Sequence, residues 1–219
     1  HIGETAQLDD YPYVHLMRSI SHELLALGED GVFFDADDRP MKQPLDWGAL
    51  IHLVNEDYAD LMALRRPQPQ DAAEWLLDRL DRAREKVGAP PAFAAMAKSV
   101  RAKLVDRIQK ECADLVKGKN DGIPTTLAGK TVVIEFARGG KEESKFPLPA
   151  PYGYAYALGQ LSAELLARAS ILYVWVTPEE SRRKNVERAH PGKQAAGNVH
   201  MSLHHGVPLA VMVNEYGTD

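Results

Sequence analysis

The sequence predicts an α/β fold in which a mostly parallel sheet is flanked by helices. Four short runs of strand-forming residues alternate with longer segments whose apolar residues recur at helical spacing. The predicted strands are Glu4–Leu8, Thr131–Phe136, Ile171–Val176 and Leu209–Val213. Because strands that alternate with helices are usually joined by right-handed crossovers, the expected sheet is mostly parallel.

Two helices are predicted between the first strand and residue 66. The first carries apolar residues from Tyr13 to Leu27 and ends at Gly28. The second begins at Asp46, which is a favourable N-cap residue, and ends before Pro67. Residues 1–66 and 123–219 are therefore predicted to form the α/β core.

Residues 67–122 are predicted to form a helical hairpin inserted into that core. Two long amphipathic patterns flank a turn that contains Gly88 and Pro90-Pro91. The exposed basic residues of these helices alternate with acidic ones, as on a solvated surface. We therefore expect a packing arm or structural lid without catalytic residues, and a homodimer could form through it.

The composition is that of a soluble globular protein. The 219 residues are 45% apolar and 26% charged, with a net charge of −5, which makes nucleic acid an unexpected partner. The single Cys112 excludes an internal disulfide and suits a reducing compartment. No apolar run approaches a membrane-spanning length. We expect a cytoplasmic protein that acts on a small-molecule substrate and not on a membrane.

The segment Ile171–Arg188 combines a predicted buried strand with a basic helix. Thr177 is expected to cap this helix, with Pro178 in its first turn. A helix that starts at the carboxyl end of a strand lies at the edge where open α/β sheets bind ligands. Phosphate is the natural target of its cations, which are Arg182, Arg183, Lys184 and Arg188. The alternative is a solvated face with the i,i+4 pairs Glu179–Arg183 and Glu180–Lys184.

Acidic residues are predicted at the carboxyl ends of two strands. Asp9 or Asp10 could accept a proton from a substrate hydroxyl or hold a magnesium-bound water. Alternatively, Asp10 caps the following helix. Glu135 should lie near the end of its strand because an unpaired carboxylate is costly to bury. Its partner is expected to be either Arg138 or a magnesium ion.

Two further patterns bear on phosphate binding and on metal binding. Ala128-Gly129-Lys130-Thr131 resembles the end of a phosphate loop, but position 124 is proline and a strand follows, so a tight turn is predicted. His200 and His204 are spaced as on one face of a helix, with His190 and His205 nearby, which suggests a metal-dependent hydrolase as a third alternative.

Several of these segments resemble uridine-kinase-like P-loop kinases. Leu8-Asp9-Asp10-Tyr11 resembles the strand-end Asp-Asp-aromatic motif of that family, and TVVIEFARGG at 131–140 resembles the next core strand. VTPEESRRKNVERA at 176–189 is similar to the arginine-bearing lid, and Leu209–Asn214 to the closing strand.

The resemblance implies a P-loop NTPase-like fold and transfer of the γ-phosphoryl group of ATP to a small hydroxylated metabolite such as a nucleoside. It implies that Asp9 or Asp10 is the base or a metal-water ligand, and that Asp10 and Glu135 hold Mg²⁺. The lid cations would bind ATP phosphates: Arg182, Arg183, Lys184 and Arg188. Tyr11 and Arg138 would contact the substrate.

The family's phosphate loop belongs on a strand and helix that precede the Asp-Asp strand. Either such a loop, G-x-x-x-x-G-K-[ST], lies before His1, or the protein is not a working kinase. The alternative is a non-catalytic nucleotide-binding or protein-interaction module on the same fold.

Overall fold

The structure is a computed structural model that describes residues 4–189 and 207–217. Within these residues it is a mixed α/β architecture with one two-stranded sheet. The elements are β1 (Glu4–Asp9), α1 (Tyr11–Ala26), α2 (Asp46–Met62), α3 (Ala72–Lys86), α4 (Lys98–Gly122), β2 (Lys130–Glu135), α5 (Gly153–Gly159), α6 (Ala163–Leu166), α7 (Pro178–Ala189) and α8 (Leu209–Glu215). The histidines from His190 to His205 lie outside the described residues.

The two strands are parallel neighbours, as the sequence predicts. Their register runs from Glu4 opposite Lys130 to Asp9 opposite Glu135. Gly129 adopts φ +75°, which glycine tolerates, and forms the turn into β2. A strand and not a helix follows that turn, so this segment is not a phosphate loop.

Helices α1 to α4 share one hydrophobic core. Fully buried residues from all four helices belong to it, including Leu16, Leu50, Leu76 and Leu104. The two helices predicted in this segment are present as α3 and α4, and they pack on the same core as α1 and α2. That residues 67–122 form an inserted helical hairpin stays a prediction.

Local caps fix several helix ends. The side chain of Asp71 accepts a hydrogen bond from the amide of Glu74 at the start of α3, at 2.9 Å. Gly28 follows α1 with φ +82°, as in common helix C-terminal motifs. Asp46 was wrongly predicted as a cap: it is fully buried, and one of its carboxylate oxygens pairs with Arg84 Nη1 at 2.9 Å.

Two predicted strands are wrong. Residues 171–176 belong to no strand of the described sheet, and Leu172 and Val174 are 87% and 70% exposed. A segment of high strand propensity forms a strand only where the edge of a neighbouring strand offers hydrogen bonds. The run from Leu209 lies inside α8, where Val211, Met212 and Glu215 are buried at helical spacing.

No helix within the described ranges is both long and apolar enough to cross a membrane.

Candidate functional site

Asp9 lies at the carboxyl end of the sheet, where β1 meets α1. It is the last residue of β1 and stands opposite Glu135, the last residue of β2. Asp9 Oδ1 accepts a hydrogen bond from the amide of Tyr11 at 3.1 Å, and this half-buried tyrosine begins α1. The structure thus brings together three of the residues that the sequence singles out.

Burial raises the pKa of Asp9 above its ordinary value, and the nearby charges of Asp10 and Glu135 raise it further. The ammonium group of Lys119 acts in the opposite direction. A carboxylate with a raised pKa is a better proton acceptor near neutral pH than an ordinary aspartate.

Glu135 lies at the end of its strand, as predicted. Its side chain is exposed and accepts a long hydrogen bond of 3.5 Å from Gln7 Nε2. Arg138 was wrongly predicted as its partner, because the guanidinium of Arg138 points to a different carboxylate. Glu135 therefore avoids the cost of burial by exposure to solvent.

Asp10 is the partner of Arg138. The two side chains are almost fully buried, and Arg138 Nη2 lies 2.6 Å from Asp10 Oδ2. Asp10 occupies the N-cap position of α1, but its side chain makes no hydrogen bond to the helix amides. The predicted capping role of this carboxylate is therefore wrong, because pairing with a buried cation draws it away from the helix.

A magnesium ion at Asp10 and Glu135 stays a prediction. No group of three or more His, Cys, Asp or Glu side chains in the described part of the chain could hold a metal ion. Magnesium is often bound through one or two carboxylates together with substrate phosphates, and the exposed Glu135 is one carboxylate at this edge of the sheet.

Three cations of α7 pair with acidic side chains: Arg182, Arg183 and Lys184. Thr177 Oγ1 accepts from the amide of Glu180 at 3.3 Å, as expected for a cap. The predicted pair of Lys184 with Glu180 is present at 3.7 Å. The predicted partner of Arg183 was Glu179, but Arg183 pairs with Glu180 and Glu187 instead.

Arg182 connects α7 to the segment that follows β2. Its Nη1 lies 3.2 Å from Glu142 Oε1. Arg188 belongs to the same helix. Exposed ion pairs contribute little to stability, so Arg182, Arg183 and Lys184 could exchange their partners for phosphate at little cost.

A buried ionic network on α1 to α4 was not predicted from the sequence. Asp57 accepts hydrogen bonds from Tyr13 Oη at 2.9 Å and Arg79 Nη2 at 3.2 Å, and it also pairs with Lys119. The only sequence signal was a charged residue on a predicted apolar face, such as Arg79 between Leu76 and Leu80. The network holds Lys119 where its charge acts on Asp9.

A polar crevice lies beside the Asp10–Arg138 pair and was also missed. Arg138, Glu215, Trp47 and Tyr216 contribute to its lining. Glu215 accepts a hydrogen bond from the amide of Met41, and burial raises the pKa of Glu215 to about 7. Sequence reasoning missed this glutamate because the segment before it was predicted as a strand.

No protein family, curated protein or solved structure was found to match this chain.

Proposed function

We propose that the protein is an ATP-dependent phosphotransferase with a P-loop-kinase-like fold, acting on a small hydroxylated metabolite such as a nucleoside. The observation that carries this proposal is the position of Asp9. Its carboxylate has a raised pKa and ends one of two parallel strands, directly opposite Glu135. The carboxyl edge of a parallel sheet is the usual ligand edge in this fold class.

In the proposed reaction Asp9 accepts the proton of the substrate hydroxyl. The hydroxyl oxygen then forms a bond to the γ-phosphorus of ATP, and the bond between that phosphorus and the β,γ-bridging oxygen breaks to release ADP. Asp9 suits this role better than Asp10, because Asp10 is committed to a buried ion pair with Arg138. Glu135 is exposed and free to approach a water of Mg²⁺–ATP.

The ATP phosphates would be bound from two sides. The cations of α7 provide one side, and Arg182 already links that helix to the segment after β2. A phosphate loop of the G-x-x-x-x-G-K-[ST] type provides the other side in this proposal. Such a loop in the sequence upstream of His1 would strongly support the kinase, and its absence there would favour a binding module.

Calorimetric titration of the intact gene product with Mg²⁺–ATP tests the proposal. We expect a Kd on the order of micromolar, weakened about tenfold by Arg183→Ala or Arg188→Ala as a charged contact to phosphate is lost. Lys110→Ala is the matched control, because Lys110 forms an exposed i,i+4 pair with Asp114 on α4. An intact protein that gives no binding heat would contradict the kinase proposal.

A second candidate is a protein-interaction module. It is favoured by the exposed apolar residues of the segment from Ile171 to Trp175, because exposed apolar patches often mark interaction sites. This candidate predicts no nucleotide binding together with concentration-dependent self-association in sedimentation experiments. Leu172→Lys should then weaken the association.

A further inference from the structure

Two buried polar atoms beside the crevice have no hydrogen-bond partner among the described residues. They are Arg138 Nε and Glu215 Oε2. Both residues are no more than 6% exposed, so bulk water does not readily replace the missing partners. Buried polar groups are nearly always hydrogen-bonded in proteins, and each exception calls for an occupant or a function.

The crevice next to these atoms is small and partly enclosed. Trp47 and Tyr216 contribute aromatic walls, with their ring centroids 5.9 Å apart in an edge-to-face arrangement. Gly153 lines the opening with φ +75°, and a Cβ atom there would lie only 2.9 Å from Leu148 Cδ1. The space has room for about one group of the size of a water molecule.

The two unpartnered atoms belong to residues that line the crevice, and they require opposite hydrogen-bonding properties. Arg138 Nε carries a proton and needs an acceptor, whereas an ionised Glu215 Oε2 needs a donor. A hydroxyl group can accept from the first and donate to the second. A carboxylate ligand would meet repulsion from Glu215 and Asp10, and an apolar group would leave both atoms unsatisfied.

We propose that this crevice binds one hydroxyl group of a small polyhydroxylated ligand, with Arg138 as the donor and Glu215 as the acceptor. We identify this ligand with the phosphoryl-acceptor substrate, an assignment that rests on the proposed kinase function. Arg138 also holds Asp10, the chain neighbour of Asp9, so a hydroxyl bound here would anchor the substrate next to the proposed base.

The test uses two probes that share a five-membered ring. 1,4-Anhydro-D-ribitol carries hydroxyl groups and tetrahydrofuran carries none. Each is titrated into the protein without nucleotide while the NMR signals of Arg138 Nε–H and the Trp47 indole N–H are followed. We expect saturable shifts with anhydroribitol and none with tetrahydrofuran.

Two substitutions assign the binding to the crevice. Glu215→Gln keeps the shape but replaces the accepting oxygen, and it should weaken the affinity for anhydroribitol at least tenfold. Arg138→Lys keeps a cation beside Asp10 but removes Nε, and it should have a similar effect. Glu111→Gln is the control, because this carboxylate of α4 makes hydrogen bonds with His15 and Ser19 of α1.

The inference is overturned if no signal saturates up to the solubility limit of the polyol, or if Glu215→Gln and Arg138→Lys leave the affinity unchanged. It is also overturned if cross-peaks between water and Arg138 Nε–H show a bound water that persists unchanged at saturating anhydroribitol. Polyol binding by an intact protein that gives no heat with Mg²⁺–ATP would support the hydroxyl site and contradict the kinase proposal alone.

Discussion

Asp9 and Asp10 are chain neighbours whose environments differ. Asp9 is half-buried with a raised pKa beside Glu135, whereas Asp10 is buried against Arg138. The sequence predicted both as site residues but could not assign their separate roles. Their roles differ because Arg138 pairs with Asp10 and not with Asp9. Arg138 lies more than a hundred residues later in the chain, so only the folded structure brings it to Asp10.

We expect substitutions of these two aspartates to have different effects. Asp9→Asn should lower turnover by about 10²–10⁴-fold and leave Mg²⁺–ATP affinity unchanged, because only proton acceptance is lost. Asp10→Asn should reduce the free energy of unfolding by about 3 kcal/mol, because the Arg138 cation stays buried without its counter-charge. ADP release by the intact protein and urea denaturation measure the two quantities. Equal turnover in Asp9→Asn and the unsubstituted protein would remove Asp9 from the reaction.

Glu215 should make the stability of the protein depend on pH. Its pKa is about 7 when folded and about 4.5 when unfolded, so its contribution is fully present below pH 4.5 and is lost as the pH rises through 7. The loss corresponds to about 3 kcal/mol. Glu215→Gln removes this titration, so the stability of the unsubstituted protein relative to this variant should fall between pH 4.5 and 8.

Urea denaturation of both proteins across that pH range measures the difference. Glu142→Gln is a suitable control, because Glu142 is well exposed and pairs with Arg182. It should leave the pH dependence nearly unchanged. Parallel stability curves for Glu215→Gln and the unsubstituted protein would show that the buried carboxyl does not titrate in this range.

At the scale of elements, amphipathic periodicity predicted α1 to α4 because each buries one apolar face in a common core. The charged residues inside that core could not be predicted in the same way. Asp46 pairs with Arg84 and Asp57 with Arg79, each across two helices. Such partners depend on how helices pack, which local spacing does not specify.

The connection between α3 and α4 depends on one carboxylate. Asp81, on α3, accepts hydrogen bonds from the amides of Ala92, Phe93 and Ala94 at 2.6 to 3.1 Å. Asp81→Ala should lower the free energy of unfolding by about 3 kcal/mol, because buried amides lose a charged acceptor. Asp78→Ala, on the exposed side of the same helix, should change it by less than about 0.5 kcal/mol. Equal effects of the two substitutions in thermal or urea denaturation would contradict the role of Asp81 in holding this connection.

At the scale of the whole molecule, the sequence predicted the parallel pairing that creates the candidate site but overestimated the sheet. Asp9 and Glu135 meet because the carboxyl ends of parallel neighbours lie at one edge. The run from Leu209 is a helix because its buried residues recur at helical spacing. The composition of such a short apolar run does not distinguish a helix from a strand. The segment from Ile171 has the composition of a strand but no partner edge in the described sheet.

A substitution in the segment from Ile171 to Val176 distinguishes an exposed segment from a strand buried in a larger sheet. Leu172 is 87% exposed, so Leu172→Lys should change the free energy of unfolding by less than about 0.5 kcal/mol. Leu104→Ala, at a fully buried position of α4, should cost about 2–5 kcal/mol and serves as the comparison. In a strand buried on both faces, a lysine at position 172 would be at least as costly as the cavity at 104. A loss of that size on urea denaturation of Leu172→Lys would therefore show that the segment packs inside a larger sheet.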